Sequence, residues 1–576
     1  MQIRFDDRRP GHRRSFEFVD PIEVLATDSP SAVPAVVVAA EEHAAAGHWV
    51  AGFLAYEAAP GLDPVLVTHP PAAGIPVAWF AVFAGRRLDP RWPDPLPARL
   101  DGWEPDQDRA AYRAALEKIH GYIGAGDTYQ VNYTMRMRGR LAGDPLSAYA
   151  GLVSAQSSGF AAYLDLGDMQ VLSASPELFF SWDADGITVR PMKGTIGRGR
   201  WSAEDHARRL QLLSSEKDRA ENLMIVDLLR NDLGRFAEYG TVEVTDLFAV
   251  EKFETLWQLT STIRAQPGDG ATLLDLLRAL FPSGSVTGAP KARTMEIIRR
   301  LEPTPRGLYC GAIGLLAPPG SGEPRAQFNV AIRTVVVDSA GNAEYGTGGG
   351  ITWDSRAAGE YDEALVKAAV LTHRRAGFSL LETMRWTPQT GVVRRRRHLD
   401  RMRASADYFG FPFPDAAIAV RLDAITGAAD CRVRVLVDPA GQVTVETAPL
   451  VVAGDRVRLA IDTVPVDAGD ALLFHKTTHR AVYEEAAARH PQADDVVLVN
   501  RAGCATETTR ANLAVRLGAA WLTPPLDDGC LPGVYRAVLL EEGTLQEASI
   551  PADRLADADE LAVISSLHGW LPATSA

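Results

Sequence analysis

Apolar and polar positions along this chain follow two periods. "MQVLSASPELFFSW" (169–182) and "GITVRPMKGT" (186–195) are short runs rich in β-branched and aromatic residues, bounded by turn residues, and they predict neighbouring strands. The period then lengthens. Ser202 and Asp205 are spaced as a capping box, and a long helical stretch is predicted from there to Gly234 in "RNDLGRF". A second helix is predicted from near Gly359 through "EYDEALVKAAVLTHRRA". At "GFSLLETMRW" (377–386) strand and helix patterns restart with new turn signals. The expected division is a first domain over 1–371, a linker over 372–377 and a second domain over 378–576. There is no internal repeat.

Length and charge narrow the class. The 576 residues exceed the roughly 250–300 at which a single core stops growing, so two domains are expected. Hydrophobic content of 46% and charged content of 23% are ordinary for a globular protein. A net charge of −14 argues against nucleic-acid or anionic-membrane partners. The opening "MQIRFDDRRPGHRR" has no apolar core of a signal peptide, and no run approaches the roughly 18 apolar residues of a membrane span. Cys310, Cys431, Cys504 and Cys530 lie far apart with no CxxC pair, which implies neither zinc nor a disulfide framework. The expectation is a soluble cytoplasmic enzyme.

Lysine usage points to chemistry. Of 59 basic residues only seven are lysine: Lys118, Lys193, Lys217, Lys252, Lys291, Lys367 and Lys476. A primary amine can lose its proton and attack carbon; a guanidinium cannot. Lys476, in "LLFHKTTHRAVYEEA", is the only lysine after residue 367, and its place between an apolar run and a helix suits a Schiff-base lysine or a solvated one. Acidic pairs recur three apart on predicted helices, Asp218 with Glu221 and Glu360 with Glu363. Such pairs suit Mg²⁺ and equally suit helix N-termini. "YGTGGGITWDS" (345–355) reads as a loop turning several N–H groups to an anion, and "SGSVTGAPKART" offers Ser285, Gly288 and Lys291 as an anion site or a plain loop. "VLVNRAGCATETTRANLAV" reads as a hairpin around Gly503, with Glu507 beyond it.

"SASPELFF", "PMKGTIGRG", "KDRAENLMIVDLLRNDLGR", "SGSVTGAPKARTMEIIRRLEP", "FNVAIRT" and "GTGGGITWDS", in this order, resemble the chorismate-utilising enzymes over roughly residues 1–370. That family includes the large subunits of anthranilate synthase and aminodeoxychorismate synthase. The resemblance implies an α/β (α+β) chain whose first domain is a chorismate-binding four-layer α/β/β/α sandwich. It implies Mg²⁺ on Glu221, Glu363 and Glu360, and chorismate on Tyr309, Arg333, Gly348 and Gly350, joined by Ser285, Gly288, Lys291 and Lys367. Lys193 stands where anthranilate synthases resemble "PIAGT" and aminodeoxychorismate synthases "PIKGT". By resemblance its amine attacks C2 of chorismate and expels the C4 hydroxyl, and ammonia then adds at C4. Gln258 stands where many members carry a catalytic histidine.

The segments around Lys476 and Glu507, with "TPPLDDGCLPGVYR" and "SSLHGW", resemble the fold-type IV pyridoxal-phosphate enzymes, a branched-chain-aminotransferase-like α+β class. By that resemblance Lys476 carries the cofactor, Glu507 pairs with its pyridine nitrogen, and Arg401 with Gly533 and Val534 holds its phosphate. His568 replaces a frequent arginine. The class includes transaminases and aminodeoxychorismate lyase, and a homodimer through this domain is a further implication. Together the two resemblances imply a bifunctional synthase and lyase making 4-aminobenzoate for folate. Ammonia is expected from a separate glutamine amidotransferase. The rivals are a transaminase or a non-catalytic scaffold at the C-terminal side, and anthranilate synthase, which Lys193 disfavours.

Overall fold

A computed structural model describes all residues except 10, 11, 13, 94, 95, 157, 372–376, 452, 453 and 576. Most of the predicted linker 372–377 therefore lies outside the described residues. The chain forms two compact units, one from Met1–Gly197 with Arg209–Arg375 and the other from Arg198–Arg208 with Ala376–Ala576. A short stretch of the N-terminal half thus belongs to the second unit, which a linear division of the sequence does not anticipate.

The first unit is built on two ten-stranded sheets. The strand Trp49–Leu54 is buried at every position. Its alternate side chains part: Trp49, Ala51 and Phe53 enter a core between the sheets, while Val50 and Leu54 enter a core beneath helices. Phe18, Trp79 and Phe83 fill the same inter-sheet layer. Helices Val33–Ala45, Glu216–Gly234 and Leu273–Leu280 cover one outer face. Helices Arg109–Gly124, Pro145–Ser154 and Ala357–Ala368 cover the other. The order is helix, sheet, sheet, helix, as expected.

Three local expectations need correction. "MQVLSASPELFFSW" is two strands in different sheets, Met169–Ser175 and Leu178–Asp183, because the chain crosses between sheets at Pro176–Glu177. "GITVRPMKGT" is likewise broken at Pro191, which has no N–H for the ladder; Gly186–Arg190 and Met192–Gly197 both pair with Leu256–Ala265. The long helix is two, Ser202–Ser214 and Glu216–Gly234. Ser215 caps the second by accepting from the Asp218 N–H at 3.2 Å. Asp205 does not serve a capping box: it accepts from Arg198 Nε at 2.6 Å and Gly199 N at 2.9 Å.

In the second unit a four-stranded antiparallel sheet centred on Leu380–Thr387 and Cys431–Val437 packs against helices Arg395–Phe409 and Asp415–Asp423. A nine-stranded mixed sheet follows, in which Val457–Ile461 runs parallel to Asp495–Val499 and to Gly569–Ser575. The predicted hairpin is present: Asp495–Val499 pairs with Cys504–Thr508, and Gly503 makes the turn at φ +79°. Among the described residues, no helix is long and apolar enough to cross a membrane. Phe53→Ala should lower the stability of the first unit by about 3–5 kcal/mol, because a fully buried ring leaves a cavity between stiff sheets. Urea unfolding followed by tryptophan fluorescence checks this.

Candidate functional site

One cavity of the first unit collects nearly all the residues expected there. Lys193, Gln258, Ser285, Tyr309, Arg333, Gly348, Gly350, Lys367, Glu221, Glu360 and Glu363 line it. The glycine segment is not a loop. Asn342–Ile351 is a strand paired antiparallel with Gln130–Gly143, and its glycines make room. A Cβ on Gly346 would overlap the Tyr309 ring, and one on Gly350 would overlap the Lys193 amine and the Gln130 carboxamide. The missing side chain at Gly350 leaves the space that the Lys193 amine occupies.

Burial lowers the pKa of the Lys193 amine, Glu221 opposes that shift, and Lys367 adds to it. Arg333 is also held in burial, which weakens its hold on its proton. It donates to Gln156 Oε1 at 2.7 Å, and among the described residues no carboxylate pairs with it. Glu177 acts on it only through space, so the guanidinium keeps donors that suit an anion. Gln258 is fixed at both ends, donating to Gly194 O at 2.8 Å and accepting from Thr195 Oγ1 at 2.9 Å.

Sequence reading missed Glu177, in the quoted "SASPELFF". It lines the same cavity and accepts from Ser285 Oγ at 2.6 Å. Burial raises its pKa to about 7, against the pull of Ser285 and Lys193. A buried acid inside an apolar run was the available signal. Two other expectations are corrected. Lys291 Nζ pairs with Asp232 Oδ2 at 2.9 Å and donates to Leu280 O at 2.9 Å, outside the cavity lining. Gly288 packs against the Gln130 carbonyl and Thr294, also outside it.

The three glutamates are chemically suited to Mg²⁺, with Glu360 and Glu363 on one helix and Glu221 on another. Burial raises the pKa of Glu221, opposed by Lys193 and by Lys217, whose Nζ lies 3.8 Å away. In this conformation Glu363 rests on Lys367 Nζ at 2.8 Å and Glu360 accepts from Ser355 Oγ at 2.7 Å. Among the described residues, no three acidic or other metal-binding groups converge as a ready-made metal cluster. The donor set fits the ion in kind; gathering it requires those two glutamates to exchange partners.

In the second unit Lys476 lies in an irregular stretch between the short turn Ala471–Leu473 and the helix Ala481–Arg489. Burial lowers its pKa to about 8, Arg401 lowers it further, and Glu382 and Glu507 oppose. Glu507 accepts from Tyr483 Oη at 2.9 Å and Asn512 Nδ2 at 3.3 Å, and burial lifts it to about 7. Arg401 grips Glu382 with two bonds of 2.8 and 2.7 Å and donates to Pro532 O at 3.1 Å. Burial would raise Glu382, but Arg401 and His398 hold it down to about 2. Gly533 caps the helix Val534–Glu541, and a Cβ there would overlap Asn512 Oδ1. A buried amine, a held carboxylate, an arginine and a helix N-terminus suit the reactive carbon, ring nitrogen and phosphate of pyridoxal phosphate. Sequence reading missed Glu382, His398, Tyr483 and Asn512. Burial, with the positive charge of Arg385, lowers the pKa of His568.

Residues 3–373 match the family described as chorismate binding enzyme. The chain belongs to the chorismate-binding enzymes. Residues 379–576 match amino-transferase class IV. Over 257 residues, 45% of this chain, it is 41% identical to aminodeoxychorismate synthase component 1 of Bacillus subtilis (strain 168), covering 54% of that protein. Over 284 residues, 49% of this chain, it is 42% identical to the protein of the same name from Salmonella typhimurium (strain LT2), covering 62% of it. The chain therefore matches only about half to three-fifths of the length of these relatives. Anthranilate synthase component I from Streptococcus pneumoniae TIGR4 shares the fold of this chorismate-binding chain, with a TM-score of 0.55 at 26% identity over 63% of this chain and 93% of that one.

The depressed pKa at Lys476 has a measurable sign. The neutral amine is the reactive form, so its modification by trinitrobenzenesulfonate should rise with pH through about 8. A solvated lysine would rise only above about 10. Arg401→Ala, which removes a cation that lowers this pKa, should move the midpoint upward. Peptide mapping across a pH series checks both, and a wild-type midpoint above 10 would contradict the assignment.

Proposed function

We propose that this chain makes 4-aminobenzoate in two steps, aminating chorismate at C4 in the first unit and eliminating pyruvate in the second. The observation that carries the reading is the buried Lys193 amine inside the cavity that holds Arg333, Tyr309 and the glutamates. Relatives named aminodeoxychorismate synthase component 1 support it, and that name favours ammonia from a separate glutamine amidotransferase.

Arg333 and the cavity's backbone groups hold the substrate carboxylates, and Glu221, Glu360 and Glu363 would hold an Mg²⁺ that neutralises carboxylate charge. Lys193, whose hold on its proton burial weakens, attacks C2 as the neutral amine. The two ring double bonds shift and the C4 hydroxyl leaves. A protonated Glu177, with its pKa near neutrality, donates the proton that makes that hydroxyl water, then takes one from the new C2–N bond. Ammonia attacks C4, the double bonds shift back, and the Lys193 amine leaves with one of the added protons. Gln258 neither titrates nor swings freely, so the acid role falls to Glu177.

In the second unit the pyridoxal cofactor would supply an electron sink, with Glu507 keeping its ring nitrogen charged and Arg401 and the Val534 helix end holding its phosphate. Lys476 takes the C4 proton. The C3–O bond breaks, the enolpyruvyl group leaves and takes up a proton as pyruvate, and the ring becomes aromatic.

The purified chain with chorismate, Mg²⁺, pyridoxal phosphate and ammonium chloride at alkaline pH tests this by chromatography. 4-Aminobenzoate and pyruvate should appear together, and Lys193→Ala should slow both at least a hundredfold. Accumulated aminodeoxychorismate without 4-aminobenzoate would remove the lyase half. Anthranilate as main product would overturn the reading of Lys193. Glu177→Gln should cost about 10²–10⁴-fold in kcat, as loss of a general acid does.

A further inference from the structure

The residues that back Lys476 come from a distant stretch of sequence. Arg198–Arg208 belongs to the same compact unit as the C-terminal residues. Within that unit the Trp201 ring stands 5.1 Å from Phe474 and packs on the apolar cluster of Leu473, Val496 and Leu498. The Arg200 guanidinium covers both rings, 4.6 Å from Trp201 and 5.4 Å from Phe474. It is anchored by Asp527 Oδ1 at 2.5 Å and Ala468 O at 3.3 Å. On the other side Arg198 stacks on Tyr408 at 4.3 Å, and the Tyr408 hydroxyl donates to Gly199 O at 2.8 Å. Tyr408 in turn lies 4.3 Å from the ring of His475, whose Nδ1 meets Ser405 Oγ at 2.8 Å. Gly199 is required for this fit, since a Cβ there would overlap the backbone of Glu204 and Asp205.

The two residues before Lys476 are thus clamped, Phe474 by Trp201 and His475 by Tyr408. Only a short bridge ties the lysine to a sheet: Leu381 N donates to its carbonyl at 2.9 Å and Thr478 N to Ser379 O at 2.9 Å, around Leu380 and Thr477. A stretch without its own ladder takes its rigidity from what packs on it. A group that must meet one carbon atom is useful only if held to a fraction of an ångström.

We propose that Arg198, Arg200 and Trp201 are positioning residues for Lys476, completing the second active site from a segment that begins five residues after Lys193. The inference deepens the proposed lyase reading and rests on it for the purpose of the lysine.

The test uses the full chain and two readouts, hydrogen exchange of residues 472–480 without cofactor and the affinity for pyridoxal phosphate followed by its visible absorbance. In Trp201→Ala, exchange at 472–480 should accelerate at least tenfold while Asn512–Leu517 and Glu560–Ser565 keep their protection. Cofactor affinity should fall about tenfold, and Trp201→Phe should restore most of both. Arg200→Leu, which opens no cavity, should shift both in the same direction and decides the matter if Trp201→Ala does not fold. Unchanged exchange and affinity would overturn the inference, and so would loss of protection spread through 512–517 and 560–565, which marks a merely structural role. If the wild-type chain takes up no pyridoxal phosphate, the lyase reading falls, while exchange at 472–480 still decides whether the segment holds the lysine.

Discussion

An amine reacts with carbon only when it has shed its proton, and water is what keeps a lysine charged. Withdrawing an amine from water is therefore the constraint on which both units are built. At Lys193 the withdrawal is achieved by a strand of glycines passing so close that no side chain could fit between. At Lys476 it is achieved by an irregular stretch buried among aromatic rings and two buried acids. In each case the burial that lowers the amine also raises a neighbouring carboxyl, Glu177 beside the first and Glu507 beside the second. One physical cause thus moves both the amine and the carboxyl towards their neutral forms.

That coupling explains the economy of the basic residues. Arginine supplies much of the fixed positive charge: Arg306 and Arg136 around Glu302, Arg401 on Glu382, Arg333 lining the cavity of the first unit. Lysine stands at positions 193 and 476, where burial lowers the pKa of the amine. It is also retained at Lys291, where it neutralises buried Asp232, so scarcity alone does not mark a catalytic amine.

What could be read in the sequence was what a short window contains. The shared face of Glu360 and Glu363, the turn at Gly503 and the place of Lys476 before a helix are local matters, and the structure has them. The glycine run read as an anion-facing loop and not as a strand, because its partner Gln130–Gly143 lies about two hundred residues earlier. Lys291 and Asp232 are 59 positions apart in sequence, and nothing near the lysine reveals the carboxylate. Glu177 depends on Ser285 in the same way, 108 residues on. Tertiary partners decide whether a polar residue in an apolar run is a site or a structural tie, and a window cannot contain them.

The interleaving of the second unit bears on how such a chain can be inherited. Its fold takes in eleven residues, 198–208, that are encoded inside the other half. Recombination or truncation at the obvious seam near residue 375 would leave Phe474 and Tyr408 without their covering, exposing aromatic surface that favours aggregation. A substitution in residues 198–208 is therefore a change to the second unit, although it lies in the first half of the sequence.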